Sequence, residues 1–138
     1  KIGLMNVGEE EGKGNILAQA TFPLLKENTH INFIGNIEGR NVFDDKADVV
    51  VCDGFTGNII LKLAESVYDL TLQRGIKDDY FTRFPYENYG GTPVLGVAKP
   101  VIIGHGISHA RAFKNMISVA EKMVQSELCA KMTEEFKA

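Results

Sequence analysis

An α/β fold, built on a mostly parallel sheet with helices on both faces, is what this sequence predicts, and three observations carry it. Short apolar runs bounded by glycine or aspartate alternate with longer segments of helical period. Three of those runs end in glycine-containing polar turns that lead into helical segments, as βα units do. The chain has 138 residues, of which 44% are hydrophobic and 24% charged, enough for one α/β domain with its own core.

Ile2 to Val7 reads as a strand and Gly8 to Gly14 as a loop rich in glycine and glutamate. Asn15 to Glu27 reads as a helix with Asn15 as its N-cap and with Pro23 kinking or shortening it. Ile31 to Ile37 is a second strand, Glu38 to Lys46 a polar connection, and Ala47 to Cys52 a third strand whose three valines suit burial on both faces. Asp53 to Gly57 then turns the chain into a helix from Asn58 to Arg74. Gly75 to Thr92 mixes charges, aromatics, Pro85 and a Gly90-Gly91 pair, and reads as a short helical piece and a loop. Val94 to Val97 and Val101 to His105 read as further strands, with Pro100 at a strand start. The last helix begins at Ser108 and carries Ala112, Met116, Val119, Met123 and Val124 on the face expected to pack on the sheet. Residues 1–124 then make the sheet and its helices, and residues 125–138 a polar helical tail that projects or frays. Lys1 is not a methionine and a strand begins at once, so the chain is expected to be the C-terminal part of a larger α/β domain.

Charge and cysteine usage narrow the function. A net charge of −3 supplies no basic field, and nucleic acid is not expected as a partner. Cys52 and Cys129 are far apart and match no zinc spacing, so they are expected as buried or half-buried thiols in a reducing cytoplasm. No clustered set of aspartates suggests a metal, and no cofactor is expected.

The chemistry is expected at three turns: Gly8 to Asn15, Asp53 to Asn58, and Gly104 to Ser108. At the carboxyl edge of one parallel sheet they would converge. Glycines admit a ligand close to the backbone, and free N–H groups at helix starts bind phosphate. Asn6, Gly12, Gly14, Asn15, Asn36, Asp53, Gly54, Thr56, Gly57, Gly106 and Ser108 are the candidate substrate-binding residues. Lys13, Asn58 and His105 are the candidate catalytic ones. Each has a plainer reading: Lys13 as a solvated lysine, Asn58 as a helix cap, His105 as a histidine satisfied by backbone. None of the turns is a GxGxxG or GxxxxGK[ST] fingerprint.

Read in order, Asn6-Val7-Gly8-Glu9-Glu10-Glu11-Gly12-Lys13-Gly14-Asn15, Phe33-Ile34-Gly35-Asn36-Ile37-Glu38-Gly39-Arg40, Val51-Cys52-Asp53-Gly54-Phe55-Thr56-Gly57-Asn58, Tyr89-Gly90-Gly91-Thr92-Pro93 and Gly104-His105-Gly106, with Ala112-Phe113-Lys114-Asn115 behind them, form a series. That series resembles the motifs of PlsX-type phosphate acyltransferases and spans nearly the whole chain. The resemblance implies a Rossmann-like, isopropylmalate-dehydrogenase-like three-layer sandwich and a homodimer. It implies conversion of acyl-[acyl carrier protein] and inorganic phosphate to acyl phosphate and free carrier. It also implies a cytoplasmic protein with peripheral contact at the inner face of the membrane. The family's N-terminal half is absent from this chain, and Leu63 to Tyr86 is shorter and more charged than the apolar-tipped excursion of some members.

Phosphate attacks a thioester without help from a covalent intermediate, so positioning and oxyanion stabilisation are the protein's tasks. Residue chemistry and the resemblance together assign phosphate or the oxyanion to Lys13 and the N–H groups near Gly14 and Asn15, orientation of the acyl or phosphate group to Asn58, and protonation of the leaving thiolate to His105. Arg40, Lys62 or Arg111 would receive the acidic carrier. The competing readings are a phosphate-acetyltransferase-like enzyme using acyl-coenzyme A, an isopropylmalate-dehydrogenase-like oxidoreductase, and a non-catalytic folding or dimerisation fragment.

Overall fold

The computed structural model describes residues 1–136; the last two residues of the expected polar tail lie outside them. The fold is α/β, with a parallel sheet. It divides into two compact units, Lys1–Ile60 and Leu61–Ala138.

In the first unit, β1 (Ile2–Met5) is flanked by β2 (Phe33–Ile37) and β3 (Val49–Val51), all parallel, in the order β2-β1-β3. Ile2 lies opposite Phe33 while Leu4 lies opposite Asn36, so β2 carries one residue more than β1 over that stretch. Gly35, at φ +94°, absorbs the irregularity in a conformation costly for a residue with a Cβ. The core is made by Leu4 and Ile37, with Phe22 set edge-on to Phe33 at 5.3 Å. Phe22 comes from α1 (Ile16–Glu27), which packs on β1 and β2. Asn15 caps this helix as expected, its Oδ1 accepting from the Ala18 N–H at 2.9 Å. Pro23 does not end the helix, which runs on to Glu27.

Two expectations for this unit fail. The valines of β3 are not buried on both faces, because β3 is an edge strand and Val49 is 52% exposed. The helix after it starts four residues earlier than predicted: α2 spans Gly54–Gln73. Its N-cap is Asp53, whose carbonyl accepts from the Gly57 N–H and whose side chain accepts from Thr56. Gly54 and Gly57, which read as turn residues, are its first helical turn. At its far end the Gly75 N–H donates to the Leu72 carbonyl and the Ile76 N–H to that of Thr71, a Schellman stop with Gly75 at φ +68°.

The second unit corrects the sheet. The strand expected from Val94 to Val97 does not form: the pairing falls earlier, on β4 (Thr92–Pro93), while the one from Val101 to His105 shortens to β5 (Ile102–Ile103), and the two pair antiparallel as a separate two-stranded ribbon. The last helix, α3 (Ala110–Gln125), packs on β5 and on a 3-10 turn, Tyr86–Asn88, and buries Ala112 and Met123. Val124, expected on the packed face, is 63% exposed. Asn115 Nδ2 donates to the Glu87 carbonyl at 2.7 Å, and Arg111 to Asn88 Oδ1 at 2.6 Å. Gly90 is required here, since a Cβ on it would stand 2.4 Å from the Met116 nitrogen. The tail does not simply fray: Glu127 takes a left-handed conformation (φ 54°) and α4 (Leu128–Glu135) folds back into contact with α3. Among the described residues, no helix is long and apolar enough to cross a membrane.

Candidate functional site

A cleft of about 670 Å³ opens at the carboxyl ends of β1 and β3. The chain leaves β1 toward β2 on one side and returns to β3 on the other, so the cleft occupies the switch point where open parallel sheets bind ligands. Its walls are mostly apolar, from Leu4, Met5 and Val51 of the strands, Leu17 and Ala18 of α1, and Ile60 of α2. Asn6, Gly14, Asn15, Asp53 and Thr56 supply polar edges. These five are among the residues singled out from sequence. The apolar walls were missed, because a strand or helix residue facing a cleft has the same hydrophobic signal as one facing a core.

The two helix starts at the cleft differ in charge. At α1, Asn15 satisfies only the Ala18 N–H, and the N–H groups of Gly14, Asn15, Ile16 and Leu17 have no acceptor among the described residues. At α2 the place of an incoming anion is already taken by the Asp53 carboxylate. Asp53 Oδ1 accepts the Thr56 N–H at 2.9 Å and Oδ2 accepts the Thr56 hydroxyl at 2.6 Å. These bonds, the hydroxyl's first, hold the Asp53 carboxyl below the usual aspartate range. An anion is therefore favoured at the α1 end and repelled at the α2 end.

The loop of residues 8–14 is tied to its surroundings. Asn6 Nδ2 donates to the Lys13 carbonyl at 2.9 Å, and Asn6 Oδ1 accepts the Val7 N–H at 2.8 Å. Asn36 is 3% exposed and donates to the Glu10 carbonyl at 2.8 Å, so it faces the loop and does not line the cleft. Glu9 pairs with Lys46, a hydrogen bond and charge that hold its carboxyl below the usual range, and Glu11 pairs with Lys26. Lys13 is exposed, beside the cleft-lining Gly14, and its ammonium has no ion-pair partner among the described residues. Two lysines thus engage two of the loop's three carboxylates, those of Glu9 and Glu11, while Lys13 stays free of an ion pair.

The other candidates fall elsewhere. Gly12 lines a separate groove with Gln19 and Lys26. A Cβ on Gly54 would meet nothing, whereas one on Gly57 would approach Cys52 Sγ at 3.1 Å. Cys52 is exposed at the cleft and neither buried nor half-buried as expected, because the edge position of β3 leaves it uncovered, whereas Cys129 is half-buried as expected. Asn58 lies in the second turn of α2, exposed, and caps nothing. Of the candidate carrier contacts, Arg40 is paired with Glu38 and Arg111 with Asn88.

His105, Gly106 and Ser108 belong to the second unit, and the strand before them pairs in the antiparallel ribbon, not in the parallel sheet as expected. The Tyr86 ring packs on the His105 ring at 4.3 Å, and its hydroxyl donates to the Ile107 carbonyl at 3.3 Å. Ser108 Oγ is buried without a partner. Tyr86 was not foreseen; nothing in its local sequence separates it from Tyr80 or Tyr89.

Comparison with known proteins agrees with these motifs. The profile of the family described as fatty acid synthesis protein matches residues 1–81 and 70–131. A phosphate acyltransferase of Dictyoglomus turgidum is 46% identical over 97% of this chain and 46% of its own length. Those of Clostridium perfringens and Aquifex aeolicus are 42% and 41% identical, over 98% and 96% of this chain and 45% and 44% of their own lengths. The chain spans about half the length of the curated relatives it matches. The first alignment runs to 154 positions, more than the 138 residues present, so that relative carries residues this chain lacks.

Proposed function

The chain belongs to the fatty acid synthesis protein family of PlsX-type phosphate acyltransferases, and on that premise we propose that the whole protein transfers an acyl group from acyl carrier protein to inorganic phosphate, yielding acyl phosphate for phospholipid synthesis. One arrangement carries the reading: an apolar cleft beside a helix start with open N–H groups, next to a lysine whose charge is unspent. The walls suit an acyl or pantetheine chain, and the α1 end suits the anion.

A phosphate oxygen attacks the thioester carbon, and the carbonyl oxygen takes the negative charge of the tetrahedral intermediate. Lys13 and the Gly14 and Asn15 N–H groups bind the phosphate or this oxyanion. The C–S bond then breaks, the electron pair leaves on sulfur, and the thiolate takes up a proton; His105 of the second unit is the candidate donor that the sequence offers. Asn58 orients the acyl group. The partners are acyl carrier protein and a second copy of the protein, in the cytoplasm, with peripheral contact to the membrane's inner face.

The chain alone is inactive on this reading. It spans about half of its relatives, and Ile16, Val7 and Phe55 beside the two turns are 88%, 80% and 78% exposed, as surfaces awaiting cover would be.

Lys13→Ala in the full-length protein is expected to lower acyl-phosphate formation by at least ~10²-fold with the fold retained. Wild-type turnover by a folded Lys13→Ala protein would refute the role. Faster turnover of acyl-coenzyme A than of acyl carrier protein would move the donor to coenzyme A.

A further inference from the structure

Three carbonyls of the loop and helix start, those of Glu10, Lys13 and Gly14, each accept a side-chain carboxamide N–H. The donors come from three different elements: Asn36 of β2 at 2.8 Å, Asn6 at the end of β1 at 2.9 Å, and Gln19 of α1 at 2.9 Å. A planar trans peptide points its C=O and the following N–H in opposite directions. Drawing the Lys13 carbonyl toward Asn6 therefore turns the Gly14 N–H the other way, and drawing the Gly14 carbonyl toward Gln19 does the same for Asn15. Neither N–H has an acceptor among the described residues, and both residues line the cleft.

The arrangement tolerates costs that packing alone would not retain. Asn36 is buried with its Oδ1 unpartnered, an unfavourable state kept together with the single bond to Glu10. Gly14 sits at φ +94°, where a Cβ would fall 2.3 Å from Asn6 Oδ1. With a carbonyl turned outward instead, its partial negative charge would face the anion.

We propose that Gln19 is a positioning residue for acyl transfer: its carboxamide, with those of Asn6 and Asn36, holds the carbonyls of the Lys13 loop so that the Gly14 and Asn15 N–H groups face the phosphate or the oxyanion. This rests on the acyltransferase reading for its chemistry. Gln19 is exposed on α1, so replacing it leaves the core intact.

The experiment compares the full-length protein with its Gln19→Met form, which keeps length and loses the donor. The KM for inorganic phosphate is expected to rise roughly tenfold while the KM for the acyl donor and the melting temperature stay unchanged. In parallel, inorganic phosphate alone is titrated while the Gly14 and Asn15 amide resonances are followed. Both should shift in the wild type, with weaker affinity in Gln19→Met. An unchanged phosphate KM, an equal rise in both KM values with a lower melting temperature, or silent amides would each overturn the proposal. A protein that makes no acyl phosphate, yet shows these phosphate-dependent shifts and their weakening in Gln19→Met, would refute the acyltransferase reading and leave Gln19 as a positioning residue for phosphate binding alone.

Discussion

Asp53 accepts both the backbone N–H and the hydroxyl of Thr56, at 2.9 and 2.6 Å, and so closes the first turn of α2. Its carboxyl is thereby held below the ordinary aspartate range, the Thr56 hydroxyl contributing most. A depressed folded pKa means that the ionised form stabilises the fold above the unfolded value of about 3.9, and that this contribution is lost as pH falls through the lower folded value. Asp53→Ala should lower the melting temperature at pH 7, and the difference from wild type should shrink below about pH 4. A difference that is constant from pH 7 to pH 3 would show that the carboxylate is not what caps α2.

The two capped helices show what the sequence made legible. Asn15 was readable as a cap because it separates a glycine-rich loop from a clean helical run. Asp53 was not, because Gly54 and Gly57 follow it and glycine is a poor helix former, so the pattern placed the start at Asn58. Here the cap, together with strand β3 ending at Val51 just upstream, overrides propensity. The ribbon was missed for another reason: the apolar run around Ile102 and Ile103 has the same composition whether it pairs parallel in a large sheet or antiparallel with Thr92 and Pro93. Pairing partners are set by tertiary packing, which a single sequence does not display. The loop carrying Lys13 was legible as a candidate through its glycines, but the carboxamides that fix it come from positions 6, 19 and 36, and only folding brings them together.

Gly12 and Gly14 are two residues apart and should respond very differently. A Cβ on Gly12 would meet nothing within 4 Å, whereas Gly14 has φ +94° and would place its Cβ 2.3 Å from Asn6 Oδ1. Gly14→Ala must break the bond from Asn6 to the Lys13 carbonyl or move the backbone, at a cost of about 1–3 kcal/mol. Turnover of the full-length protein should fall by at least tenfold. Gly12→Ala should stay within about 0.5 kcal/mol of wild type and retain activity. Similar losses from both would mean that the loop is not held in one conformation.

Asn58 separates a structural role from a chemical one, because the structure removes the structural role. It lies in the second turn of a helix already capped by Asp53, its side chain is exposed, and it donates to nothing among the described residues. Alanine is the better helix former by up to about 0.7 kcal/mol, so Asn58→Ala should leave the melting temperature unchanged or raise it slightly. If the amide orients the acyl group as proposed, turnover should nevertheless fall by roughly tenfold or more, since a lost orienting contact acts on the barrier and not on the fold. Both quantities are to be measured on one preparation of the full-length protein. Unchanged turnover with unchanged melting temperature would take Asn58 out of the site and leave Lys13, Gly14 and Asn15 as its polar centre in the first unit. A lower melting temperature would instead reveal a packing partner that the described residues do not contain.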